Sequence, residues 1–191
     1  VAVRRQRQMC IRDSLIENWL RENPGETHPG DVMITNDPYS GAAHLPDVYI
    51  FRPIFSEGKL LAWAVGGGHQ RDVGGMTPGS CPTNATEIHQ EGLRLPPMKL
   101  YNQGKPNKTL FTILKAASRT PEIVLADISA YVGACTVAEN RFLELVEEHG
   151  ASTLDKYLAE LLDYTERLAR AEITAMPDGK YYFEDKLDDD G

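Results

Sequence analysis

From residue 15 onward, apolar positions recur first at helical and then at strand spacing. In "LIENWLREN", Leu15, Ile16, Trp19 and Leu20 share one helical face, and Asn23-Pro24-Gly25 ends the run. "GDVMITNDP" is a short apolar strand closed by the turn signal Asn36-Asp37-Pro38. Val48 to Phe55 and Leu60 to Val65 are two β-rich runs separated by Ser56-Glu57-Gly58-Lys59, which predicts a hairpin (about 48–65) with a four-residue loop. Both runs are apolar on both faces, so the hairpin is expected inside a larger, mixed sheet. Pro53 cannot donate to a ladder and calls for a bulge or an edge there.

Residues 66–108 are rich in Gly, Pro and Thr without a clear period, and are read as one long loop of the kind that carries function. The pattern turns helical from Lys108. A long helix is expected from Pro121, with proline at its first position, to about Glu148 before His149-Gly150. Another runs from about Thr153, capped by Ser152 or Thr153, to Ala175. Its stripe is Leu154, Tyr157, Leu158, Leu161, Leu162, Thr165, Leu168 and Ala169. The fold class is α+β: a sheet containing the hairpin, a long loop, then an antiparallel pair of long helices as scaffold.

The N-terminus changes this picture. "RRQRQMCIRDS" back-translates onto an adapter oligonucleotide of transposon-based sequencing libraries, so residues 1–14 are read as an adapter-derived scar. A natural basic arm for nucleic acid is the alternative. Without Arg4, Arg5, Arg7, Arg12 and Asp13 the chain carries 16 basic against 27 acidic residues, a net charge of −11 in place of −8. That acidity argues against nucleic acid or anionic membrane as partner. No uninterrupted apolar stretch approaches the ~18 residues of a membrane helix, and no signal peptide is visible. Cys10, Cys81 and Cys135 have neither zinc nor disulfide spacing, consistent with reduced thiols in a cytoplasm. "MPDGKYYFEDKLDDDG" reads as a strand opening into a turn at the chain end, as expected of 15–191 being a fragment truncated at its C-terminus.

Candidate chemistry gathers at the open end of the hairpin. If Phe55 opposes Leu60, Asp47 faces Gly68 and Pro46 faces His69, give or take one register step. His44 can join them in two ways. Polyproline geometry before Pro46 aligns positions three apart, and so does a turn around Leu45-Pro46. Two imidazoles and one carboxylate suit a divalent transition metal (Mn, Fe or Zn) with positions left open. A hydrogen-bonded cluster that fixes the loop is the alternative. Gly66, Gly67 and Gly68 admit a ligand or another backbone, and no Gly-Lys-Ser/Thr follows them to make a phosphate loop. Asp72 is either an acceptor that orients a ligand imidazole or a turn-former. Glu87 and Glu91, four apart, would face one way on a helical turn and could serve in acid–base work, or be solvated. His28 and His149 read as incidental; His89 is either a pocket or a surface residue.

"GDVMITNDPYSGAAHLPDV", "GHQRDVGGMTPGS", "TEIHQEGLRLPP" and "MPDGKYYFEDKLDDDG" resemble, in order, motifs of the hydantoinase B family, over essentially all of Leu15 to Gly191. That family includes the catalytic halves of ATP-dependent N-methylhydantoinase and 5-oxoprolinase and the acetone carboxylase alpha subunit. Through the acetone carboxylase branch, the resemblance implies a divalent metal, often manganese, on His44, Asp47 and His69. It also implies a hydantoinase A-like subunit or domain that binds ATP, within a hetero-oligomer, and a small-molecule substrate. Ring opening of a cyclic amide is the activity implied, with Asp72, Glu87 or Glu91 as proton carriers. Ketone carboxylation, or a non-catalytic scaffold with a structural cluster, are the alternatives. Three positions depart from the family's usual residues: Gly41-Ala42-Ala43 before the first histidine, Gln70 after the last, and His89 before "QEG". They bear on substrate more than on metal.

Overall fold

A computed structural model describes residues 8–185. The chain divides into two compact units with the boundary after Leu145. The first holds a five-stranded sheet in the order β3-β2-β1-β4-β5, made of β1 (Val32–Thr35), β2 (Asp47–Ser56), β3 (Lys59–His69), β4 (Met98–Asn102) and β5 (Lys105–Pro106). The class is α+β as expected. Every pairing is antiparallel where a mixed sheet was expected, because each neighbour in the sheet arrives through a hairpin or a returning loop.

Strand alternation sorts the sheet into two faces. Val48, Ile50, Ile54 and Ala64 join Val32, Ile34, Leu100 and residues of two helices, α2 (Lys108–Ala117) and α3 (Pro121–His149), in the main core. On the opposite face Met33 and Phe51 meet Trp19 of α1 (Gln8–Glu22), with Trp63 and Val65 packed alongside. Trp19 and Phe51 make an edge-to-face pair at 6.4 Å. Helix α1 begins at Gln8, ahead of the Leu15 start expected from the apolar pattern. Helix α2 is capped by Asn107, whose side chain accepts from the Leu110 N–H at 3.1 Å.

The hairpin differs from its expectation in three respects. Its loop has two residues, Glu57 and Gly58, both with positive φ (49° and 76°), because Ser56 pairs with Lys59. It does not lie wholly inside the sheet. Strand β2 is interior but β3 is an edge, its apolar side chains half-covered by helices on the two faces. Third, the register shifts between Ile54 and Phe55: Phe55 opposes Leu60 but Ile54 opposes Ala62, so Leu61 is an extra residue. Pro53 is next to this bulge and beyond Phe51, where the pairing of β1 with β2 ends, so its missing N–H costs no central ladder bond.

Within the expected loop of 66–108, the strand β3 continues to His69, and β4 and β5 form a second hairpin. The alternation in "MKLYN" is obscured in the sequence by Pro96-Pro97 before it and Gly104 after it. Close approach explains the glycine triplet. A Cβ on Gly67 would lie 2.5 Å from the Val48 carbonyl oxygen, and one on Gly68 would lie 2.8 Å from the Tyr131 hydroxyl. Helix α3 also packs Cys135 on the sheet, its thiol directed at the Ala64 and Ile50 carbonyls; burial pushes that thiol's pKa up. Cys81 and Cys135 are free.

Helix α3 is long and apolar enough to cross a membrane by length and composition, yet its Val124, Ile128 and Cys135 are buried in the main core. In the second unit, α4 (Ala151–Ala175) starts after Gly150 with no side-chain cap, in place of the expected Ser152 or Thr153. Its stripe is exposed, with Leu161 57% and Leu162 62% accessible. The expected strand near Tyr181 to Phe183 is not formed among the described residues.

Candidate metal centre

The bulge at Leu61 has its consequence at the far end of the hairpin. With the register advanced by one, Asp47 opposes His69 directly rather than Gly68. Both project from the sheet face that carries Phe51, away from α3. His69 Nδ1 lies 3.3 Å from Asp47 Oδ1.

His44 reaches the same oxygen through a turn. The Asp47 N–H donates to the His44 carbonyl at 3.0 Å, which closes the four residues His44-Leu45-Pro46-Asp47. Of the two routes open to the sequence, the structure adopts the turn. His44 Nε2 then lies 3.0 Å from Asp47 Oδ1, and the two imidazole rings are 5.1 Å apart. One ligand atom from each of His44, Asp47 and His69 falls within 4.8 Å of the others. The side chains are 42%, 22% and 53% exposed, so the cluster has an open side.

The donor set fits a divalent transition metal. Two ligand atoms each about 2.1 Å from one ion are about 3.0 Å apart at a right angle and about 3.4 Å apart at the tetrahedral angle. The two nitrogen–oxygen separations, 3.0 and 3.3 Å, fall in that interval. They are also hydrogen-bond distances, so an imidazole N–H can hold the same geometry without an ion.

The turn is held from outside. The Gln70 N–H donates to Pro46 O at 2.7 Å, and Asn36 Nδ2 donates to Leu45 O at 2.7 Å. Asn36 and Asp37, which the sequence offered only as a turn signal, are buried and grip residues 93–95. Asn36 bonds the Leu93 and Leu95 backbone, and Asp37 takes the Arg94 guanidinium at 2.9 and 3.0 Å. Arg94 in turn stacks over Tyr39 at 4.8 Å. The signal that could have found them is the adjacency of an amide and a carboxylate in a strand-ending turn, together with an arginine between two leucines in a proline-bounded segment.

The expected proton carriers are placed differently. Asp72 is 2% exposed, and its carboxylate accepts from the Gly74, Gly79 and Arg119 backbone N–H groups and from the Arg119 guanidinium, all at 2.9–3.0 Å. Burial pushes its pKa up, but the four hydrogen bonds together outweigh it and hold the carboxyl at about 2, below the ordinary 3.8. Its bonds are to a loop and to the end of α2, not to the triad. Glu87 and Glu91 do not share a helical face. They flank a three-residue 3-10 turn, Ile88–Gln90, with Glu87 extended. His28 donates its N–H to Asp31 Oδ2 at 2.8 Å, His149 ends α3, and His89 is exposed.

The family described as Hydantoinase B/oxoprolinase matches residues 8–191. A D-/L-hydantoinase component from Pseudomonas sp. (strain NS671) is 38% identical over 171 residues, 88% of this chain and 29% of that protein. The crystal structure of the ATP-dependent caprolactamase from Pseudomonas jessenii superposes with a TM-score of 0.81 at 32% identity, over 88% of this chain and 29% of that one. The nucleotide-free acetone carboxylase structure, described with ATP-dependent acetone carboxylation, gives 0.67 at 27% identity over 73% of this chain and 18% of that one. The chain therefore spans under a third of the length of these relatives.

Proposed function

The chain belongs to the hydantoinase B/oxoprolinase family, and on that premise we propose that it forms part of the metal-containing catalytic subunit of an ATP-dependent cyclic-amide hydrolase. The substrate class is a small lactam or hydantoin ring, of the N-methylhydantoin or 5-oxoproline type. The observation that carries the reading is the convergence of His44, Asp47 and His69 on an open face. A divalent Mn, Zn or Fe ion there would supply Lewis acidity to a carbonyl and lower the pKa of water. ATP is assigned, as the family resemblance implies, to a hydantoinase A-like partner subunit or domain, which activates the amide carbonyl. The chain's own part is to hold the three ligands and leave one side accessible. Glu87 and Glu91 remain the proton carriers of this reading. Asp72 is set aside, because a carboxylate held near pKa 2 by four donors neither gives nor takes a proton at neutral pH.

The likeness to acetone carboxylase favours a second reading, ATP-dependent carboxylation of a small ketone at the same site. Trials of lactam against ketone and bicarbonate, with the ATP-binding partner present, separate the two. The test of the metal itself is elemental analysis of protein purified without chelators, beside His44→Ala and His69→Ala. About one Mn, Zn or Fe per chain, lost in both variants, is the expected result. A folded protein with no metal would reduce the triad to a loop-fixing cluster and leave the catalytic reading resting on the family resemblance alone.

A further inference from the structure

The two inner carbonyls of the ligand turn both accept hydrogen bonds from outside it, but by different means. Pro46 O is served by the backbone N–H of Gln70, which no side-chain change removes. Leu45 O is served by one side chain, the amide of Asn36, which is fully buried. Asn36 uses both donors of its amide and one lone pair of its carbonyl oxygen. Nδ2 donates to Leu45 O at 2.7 Å and to Leu93 O at 2.8 Å, while Oδ1 accepts from the Leu95 N–H at 2.7 Å. Its own N–H donates to Leu95 O at 3.2 Å. Asn36 is thus fastened to residues 93–95 on three bonds and extends its last N–H to the Leu45-Pro46 peptide, one residue past His44.

We infer that Asn36 is a positioning residue for the metal-ligand turn: it touches no ligand atom, yet fixes the Leu45-Pro46 peptide and so the 3.0 Å approach of His44 to Asp47. The inference rests on the metal reading of the triad. Loss of that N–H leaves a buried carbonyl without a donor. Because the Leu45 side chain is held in the main core, the relief open to the turn is to rotate the Leu45-Pro46 peptide, which alters the approach of His44 to Asp47. Partners bonded directly to a metal ligand typically change affinity by about 10–100-fold, and an effect at the lower end of that range is expected of Asn36, which acts through the backbone next to His44. The neighbouring Asp37 has a different task. Its carboxylate holds Arg94, the Tyr39 N–H and the Ser40 hydroxyl, and makes no bond to residues 44–47.

The test is a Mn²⁺ titration of the chain, read by the electron paramagnetic resonance of free ion. It is combined with thermal unfolding and with imidazole NMR of the metal-free protein. Asn36→Asp keeps the volume but turns two donors into lone pairs that face the Leu45 and Leu93 carbonyls. The expected result is Mn²⁺ affinity at least about tenfold weaker, with His44 imidazole signals shifted and those of His149 unmoved. Arg94→Met, which cuts only the adjacent ion pair, should lower the unfolding temperature and leave Mn²⁺ affinity within about twofold. A folded Asn36→Asp with unchanged affinity and unchanged His44 signals would overturn the inference. If Asn36→Asp does not fold, Asn36→Ser, which brings no charge, is judged by the same criteria. If the unmodified chain takes up none of Mn²⁺, Zn²⁺ and Fe²⁺, the metal reading falls. Positioning then stands or falls on whether the His44 signals shift.

Discussion

Two carboxylates flank the end of β3, Asp47 at the mouth of the hairpin and Asp72 in the loop beyond it, and their surroundings are opposite. Asp72 is enclosed and receives three backbone N–H groups and a guanidinium. Every lone pair is directed at a donor that cannot be deprotonated near neutral pH, so the group is architecture: it joins the 72–79 loop to Arg119. Asp47 is part-exposed, and its side chain meets two imidazoles. A neutral imidazole offers a ring-nitrogen lone pair, so the same three groups can present lone pairs to a cation. What distinguishes the candidate ligand from the strut is therefore the kind of donor around it, since both are aspartates.

Replacing each carboxylate should break the comparison most sharply. Asp47→Ala is expected to abolish stoichiometric Mn²⁺ uptake while shifting stability by less than about 1 kcal/mol, as for a part-exposed polar group. Asp72→Ala should do the reverse. Four donors lose their acceptor, costing on the order of 2–4 kcal/mol in urea unfolding, with Mn²⁺ affinity unchanged. Equal loss of metal in both variants would show that the two regions are one unit.

Acid sharpens the same contrast by a smaller amount. The folded pKa of Asp72 is below its ordinary value, so its stabilisation is complete above about pH 4 and is lost as pH falls toward and through about 2. The contribution is on the order of 2 kcal/mol. Unfolding free energies measured between pH 5 and 2 should fall less steeply in Asp72→Asn than in the unmodified chain; parallel slopes would contradict the assignment. The smallest effect is expected at Glu87 and Glu91. Changing either to Gln should alter stability by less than about 0.5 kcal/mol, because neither carboxylate has a structural partner among the described residues. A turnover loss without a stability loss would single out a proton carrier.

Much of this was legible in the residues, for local reasons. The hairpin, the first strand, α2 and the two long helices follow from period and from turn and cap residues close in sequence. The three candidate ligands could be brought to one end of the hairpin from loop chemistry alone, to within one register step. Asp72 was legible only as a choice between two roles. Its decisive partner, Arg119, is far along the chain and enters through the packing of α2 behind the loop. Asn36 was read as a turn residue because its bonds to Leu93 and Leu95 cross from one segment to another.

By itself, then, the sequence determined the α+β class, the three candidate ligand side chains and their common neighbourhood, since all of these rest on period, turn chemistry and the pairing of one hairpin. Only the tertiary structure decided that β2 is interior and β3 an edge, and that a bulge at Leu61 places His69 opposite Asp47. It also decided that one aspartate is saturated while the other is open. The reason is that strand order, register shifts and buried donor counts are set by non-local pairing. In such pairing the loss of a single hydrogen bond, about 1–3 kcal/mol when the group is buried, outweighs any preference a residue carries alone.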